Sequence, residues 1–129
     1  MTTYTIPLSF TSPPLTANQR FGHWAQRSTL VKKVRAEVFL RARSMRLPKG
    51  LDFITVTLHY QPRDNRRRDA DNIVPTMKAA CDALAAGTAK YPGYGVVEDD
   101  TPDMMAKVMP VIHPAVKGEP GKMWLEVRT

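Results

Sequence analysis

FITVTLHYQPRDNRRRDADNIVPTMKAACDAL, residues 53–84, passes from one structural period to another within a single stretch. Its first eight residues alternate, with Ile54, Val56, Leu58 and Tyr60 on one side, which predicts a strand over 53–60. In its last twelve, Ile73, Met77, Ala80, Cys81 and Leu84 recur at helical spacing, which predicts a helix over 73–84. Pro75 is tolerable there because first-turn amides have no intrahelical partner. Between the two lies Arg66-Arg67-Arg68-Asp69-Ala70-Asp71-Asn72, so the densest charge in the chain sits past a strand end and just before a helix.

Working outward, residues 4–10 alternate again, with Tyr4, Ile6, Leu8 and Phe10 on one side, and Ser12-Pro13-Pro14 ends that strand. Residues 24–45 lack Gly and Pro, and Trp24, Val31, Val34, Val38, Ala42 and Met45 mark the apolar face of an amphipathic helix. Its other face carries Lys32, Arg35, Arg43 and Arg46, a solvated stripe or a polyanion-facing one. A glycine-containing loop over 87–95 leads to Val96-Val97 and a second acidic knot, Glu98-Asp99-Asp100. Two closing strands are predicted over 104–113 and 122–128. The order β-α-β-α-β-β implies an α/β (α+β) fold with a small mixed sheet and two main helices, rather than a doubly wound parallel one.

A chain of 129 residues that is 43% apolar is sized for one domain, here residues 1–129. Net charge is +7, and nine of the nineteen Lys and Arg lie between residues 20 and 49, while eight of the twelve acids lie between 64 and 103. A basic arm and an acidic centre are thus separate features, and nucleic acid is the expected partner class. The lone Cys81, among Ala79, Ala80, Ala83 and Leu84, excludes an internal disulfide and reads as a buried thiol. No apolar run approaches the roughly 20 residues of a membrane span, so a soluble, cytoplasmic protein with no membrane partner is expected.

Burying three arginines against two carboxylates is costly unless the charges are paired or hold a metal. Residues two apart in an extended segment point the same way, so Asp69 and Asp71 could face one point, with Asp100 closing it from another loop. Asp99 or Glu98 would support Asp100. Three such carboxylates would repel one another unless a divalent cation neutralised them, and Mg²⁺ prefers hard oxygen ligands, with Mn²⁺ a possible substitute. Helix capping is the plain alternative for Asp71 and Asn72, but it explains one of them at most. Lys78, seven residues after Asp71, could neutralise charge on a phosphate or be an ordinary surface lysine. Asp82, four residues after Lys78, reads as a helical ion-pair partner. Asn18, Arg20 and His23, next to Trp24, are suited to phosphate and base contact, while Trp24 could equally be a core residue at a helix start. His59 and His113 are assigned no chemistry. The EF-hand glycine and glutamate, the Walker A pattern and the Gly-x-Ser-x-Gly elbow are all absent.

Taken in order, residues 18–23, Arg66-Arg67-Arg68-Asp69-Ala70-Asp71-Asn72, Lys78-Ala79-Ala80-Cys81-Asp82-Ala83-Leu84 and Val97-Glu98-Asp99-Asp100 resemble the RusA family of Holliday junction resolvases. The likeness spans almost the whole chain and is most specific over 66–100. It implies a Mg²⁺-dependent crossover junction endodeoxyribonuclease, without a small-molecule cofactor, that cuts four-way DNA junctions by paired incisions. Asp69, Asp71 and Asp100 then correspond to metal-binding carboxylates, Lys78 to the lysine of the site, and Arg66, Arg67 and Arg68 to DNA-backbone contacts. A homodimer is also implied, since one acidic cluster per chain cannot cut two opposed strands symmetrically. A basic DNA-binding module selective for branched DNA, without hydrolysis, is the rival reading.

Overall fold

The alternating run becomes β2 (Ile54–Gln61), the centre of a mixed five-stranded sheet in a computed structural model that describes residues 1–20 and 24–129. β5 (Lys122–Arg128) lies antiparallel beside it, from Thr55 opposite Arg128 to Gln61 opposite Lys122. β1 (Thr3–Leu8) pairs antiparallel with the far side of β5. On the other edge of β2 run β3 (Met105–Lys107) and β4 (Val111–Ile112), both parallel to it. Only a crossover can make β2 and β3 parallel, and the helix that follows the arginine run supplies it. The α/β fold class and the order of elements are those expected, except that the strand over 104–113 is two short pieces. Pro110 lies between them, where it has no amide to give to the ladder.

Two helices cover one sheet face: α1 (Trp24–Ser44) and α2 (Val74–Leu84). Ile6 and Leu8 of β1, Ile54, Val56 and Leu58 of β2, and Met123, Leu125 and Val127 of β5 all point into the core they share. α1 contributes Val34, Val38 and Ala42 as expected, but Trp24 and Met45 are exposed. By helix rise α1 runs to about 30 Å and α2 to about half of that, so α2 is too short to cover the whole of α1, and Met45 lies in the turn just past its end. Cys81 is fully buried, and burial pushes its thiol up to about 12, as suits an inert core cysteine.

The segment after β1 is fastened to α2 by one buried hydroxyl. Thr76 Oγ1 donates to the Leu15 carbonyl at 2.7 Å and accepts from the Leu15 amide at 3.2 Å. Thr76→Val keeps the shape and orphans both groups. It should lower the unfolding free energy by about 1–3 kcal/mol in urea titrations, with the m-value unchanged.

The helix-free face carries a chain of polar rings. His59 and His113 meet at 2.8 Å through Nδ1 and Nε2, and His59 Nε2 lies 3.1 Å from Glu126 Oε1. The Trp124 ring stacks on both, 5.2 Å from His59 and 5.0 Å from His113. Burial, then the neighbouring His59, pushes the pKa of His113 below its ordinary 6.5. The folded chain therefore binds fewer protons than the unfolded one as pH falls below that value, and stability should drop there. Urea midpoints at pH 7.5 and pH 5.5 should differ in that direction, and His113→Asn should shrink the difference.

Candidate functional site

Past Gln61 the chain turns, and Asp64 gathers the arginines. Arg68 Nη2 donates to Asp64 Oδ1 at 2.8 Å, Arg66 Nη2 lies 3.2 Å from Oδ2, and Arg63 Nε 3.7 Å from Oδ2. The bond from Arg68, then the backbone N–H of Arg66, lowers the pKa of Asp64. Arg68 Nη1 also donates to the carbonyls of Asp64 and Arg66 at 2.8 and 2.9 Å, and its guanidinium stands 5.9 Å from the centre of the Tyr60 ring. Two of the three expected phosphate ligands thus already brace the loop. Arg67 is exposed and has no ion-pair partner among the described residues.

Asp69 keeps the extended backbone that the sequence predicts, but the extension stops there. Residues Ala70–Ile73 form a 3-10 turn that runs directly into α2, so the alternation that would aim Asp69 and Asp71 the same way does not apply to Asp71. Capping does not occupy them either. Asp69 is the N-cap of the turn without a side-chain capping bond, and the N-cap of α2 is Ile73. Both carboxylates are exposed, and neither has a side-chain hydrogen bond or ion pair among the described residues.

Asn72 has a different task. Its carbonyl accepts from the Ala17 amide at 2.9 Å and its side-chain Oδ1 from the Asn18 amide at 3.2 Å, which draws the basic arm to the head of α2. The result is a polar hollow of about 320 Å³ lined by Asn18, Arg67, Arg68, Asp69 and Asn72. Five residues singled out from sequence, 54 apart at the extremes, share one cavity. Arg20 is exposed nearby in sequence, and His23 lies outside the described residues.

Asp100 keeps other company. Lys107 Nζ donates to its Oδ2 at 2.9 Å, and this bond, with Asp82 and Asp99 contributing, takes the Asp100 carboxyl down to about 2. The Asp82 carboxyl lies within hydrogen-bonding reach of Asp100, and burial, then that contact, raises its pKa. Asp82 is more than a helical partner for Lys78: it stands 3.7 Å from Lys78 Nζ and also 3.7 Å from Arg35 Nη1 of α1. Asp99 Oδ1 accepts the Asp100 amide at 2.8 Å and so shapes its own loop, while Glu98 is exposed. Lys107, Asp64 and the second role of Asp82 were not expected from sequence. Only Asp64 had a local signal, its spacing of four before Arg68.

Among the described residues, no three His, Cys, Asp or Glu side chains converge as a group able to hold a metal. Asp69 and Asp71 nonetheless have the donor chemistry for Mg²⁺, which is commonly held through one or two carboxylates, with water and substrate phosphate filling the remaining positions. Asp100 is not brought into that pair. No protein-family model matches the chain, and no curated protein matches it either. Among the described residues no helix is long and apolar enough to cross a membrane.

Proposed function

We propose that this chain is a Mg²⁺-dependent, structure-selective endonuclease that resolves four-way DNA junctions by paired phosphodiester hydrolysis. The observation that carries the reading is the polar hollow, where an uncommitted carboxylate, Asp69, shares a wall with Arg67, Arg68 and Asn18. The RusA-like order of motifs supports the substrate, and the net charge of +7 supports a polyanion.

Arg67 and the Asn18 side chain hold a backbone phosphate in the hollow, and Arg68, fixed by Asp64, keeps its wall in place. Asp69 and Asp71 would hold the cation, with Mn²⁺ able to replace Mg²⁺. The chemistry a bound ion supplies there is Lewis acidity toward a phosphoryl oxygen and a lowered pKa for water. Lys78, exposed one helical turn before Asp82, offsets charge building on the phosphate. Water adds at phosphorus and gives up a proton to solvent as the P–O3′ bond breaks; the 3′ oxygen takes up a proton and leaves as a hydroxyl, and ligatable 5′-phosphate ends remain. A two-fold dimer presents two such sites to opposed strands.

The test is incubation of purified protein with a synthetic mobile four-way junction, a fork, a flap and a plain duplex, each with Mg²⁺, Mn²⁺ or EDTA. Paired metal-dependent nicks in the junction are expected. No nick in any branched substrate with either metal would end the enzyme reading. One observation favours the rival, a non-catalytic binder of branched DNA: Lys107 already neutralises Asp100, away from the Asp69 and Asp71 pair. That reading predicts junction binding with no metal-dependent nick.

A further inference from the structure

The start of α1 is not bare. Trp24, Arg27, Ser28, Val31, Lys32 and Arg35 recur at spacings of one, three or four along one side of the helix, and the 87–95 loop sets Tyr91 opposite them. The groove between has a volume of about 470 Å³, within the range of pockets that take small ligands. Both aromatic residues remain open to solvent, Trp24 at 76% and Tyr91 at 58% exposure. The main chain fixes Tyr91: its amide donates to Thr88 Oγ1 at 3.1 Å, and its carbonyl accepts from the Thr88 amide at 3.2 Å and from Arg35 Nη2 at 3.4 Å. Its ring is thus held out on a braced loop, with Lys90 Nζ 5.4 Å from the ring centre.

The lining identifies the occupant. Among the described residues three cations and no acid line the groove, so an anion is favoured, and an apolar helix or a second copy of this basic chain gains nothing from Arg27, Lys32 and Arg35. Two exposed rings favour a flat, stackable ligand. Unpaired nucleotides combine both properties, since each has a phosphate for Arg or Lys and a base face for an aromatic ring. A fully paired duplex hides those faces. Arg35 also connects the groove to the acidic loop, since it lies 3.7 Å from Asp82, which faces Asp100.

We propose that the groove between α1 and Tyr91 is a subsite for an unpaired nucleotide, whose base stacks on Trp24 and Tyr91 while Arg27, Lys32 and Arg35 take its flanking phosphates. The assignment rests on the reading of branched DNA as substrate, because branch points are where duplex DNA offers unpaired bases. It gives the basic arm a role separate from phosphate contact at the hollow.

Metal-free titration with a short oligodeoxythymidylate, and with a duplex of the same length, tests it. The chain has two tryptophans, and Trp124 is stacked on histidines, so saturable quenching by the single strand should vanish in Trp24→Phe. By anisotropy of a labelled oligonucleotide, Trp24→Phe should bind within about threefold of wild type, whereas Trp24→Ala and Tyr91→Ala should each bind about tenfold more weakly. Both residues are exposed, so circular dichroism and melting should be unchanged. Equal quenching by duplex, or wild-type affinity in both alanine variants, overturns the subsite. So does a Trp24→Ala protein that sediments as a smaller species than wild type, which would make the groove an interface between copies. Oligonucleotide binding without any junction cleavage would sink the endonuclease reading and leave the subsite standing; cleavage with no effect of either alanine would do the reverse.

Discussion

Asp71→Asn should cleave a four-way junction in Mg²⁺ at about one thousandth of the wild-type rate or less, while binding it undiminished in a mobility-shift assay. The magnitude follows from what the carboxylate does in the proposed site: Lewis-acid stabilisation is worth several kcal/mol of barrier. Asparagine keeps the size and one oxygen but loses the charge that holds a hard cation. The substitution is clean because Asp71 is exposed and makes no capping bond, so the thermal midpoint should not move. Asp69→Asn should match it. A helix-capping role predicts the opposite pattern, a loss of about 1 kcal/mol in stability with cleavage intact. Raising Mg²⁺ or adding Mn²⁺ should restore part of the activity, which separates weakened metal binding from a lost contact to DNA.

β2 and α2 were legible because their apolar residues keep one period throughout, 2 in the strand and 3.6 in the helix, and each period fixes a buried face. The same reasoning failed where tertiary contacts decide. Trp24 fits the apolar stripe of α1, yet it is exposed, and sequence alone does not give the length of α2 relative to α1. At the site, the residues of the hollow were readable as types in a pattern, but their geometry was not. Whether 69–72 would be extended or coiled turned on a 3-10 turn that carries no distinctive residue. The pairing of Asp100 with Lys107 likewise depends on β3 lying parallel to β2 with Lys107 opposite Val56, a consequence of the crossover rather than of spacing. His59 meets Glu126 for the same kind of reason: β5 sets Trp124 opposite His59, and Glu126 stands two residues along on the same face.

Gly93→Ala should lower the unfolding free energy by on the order of 4 kcal/mol, near the upper end for a single substitution. A methyl group at Gly93 would lie 1.8 Å from the Ala85 carbonyl oxygen and 3.0 Å from that of Ala83, both backbone atoms with no freedom to swing aside. The segment it would displace satisfies the end of α2. Tyr94 donates its amide to the Ala83 carbonyl at 2.7 Å, Gly95 and Val96 donate theirs to Leu84 at 3.0 and 2.8 Å, and Gly93 itself donates to Ala86 at 2.8 Å. Helix ends leave just such carbonyls unpaired, so the loop serves as the C-terminal cap of α2. It also seats Val96 and Val97 in the core and brings Asp100 to Lys107. Gly118→Ala is the comparison: its φ of +84° strains any side chain, but nothing lies within 4 Å of the added carbon, so about 1 kcal/mol is expected. Urea unfolding of the two variants measures the difference. If Gly93→Ala is no less stable than Gly118→Ala, the loop is not packed against α2 as described, and Tyr91 loses the support on which the proposed nucleotide subsite depends.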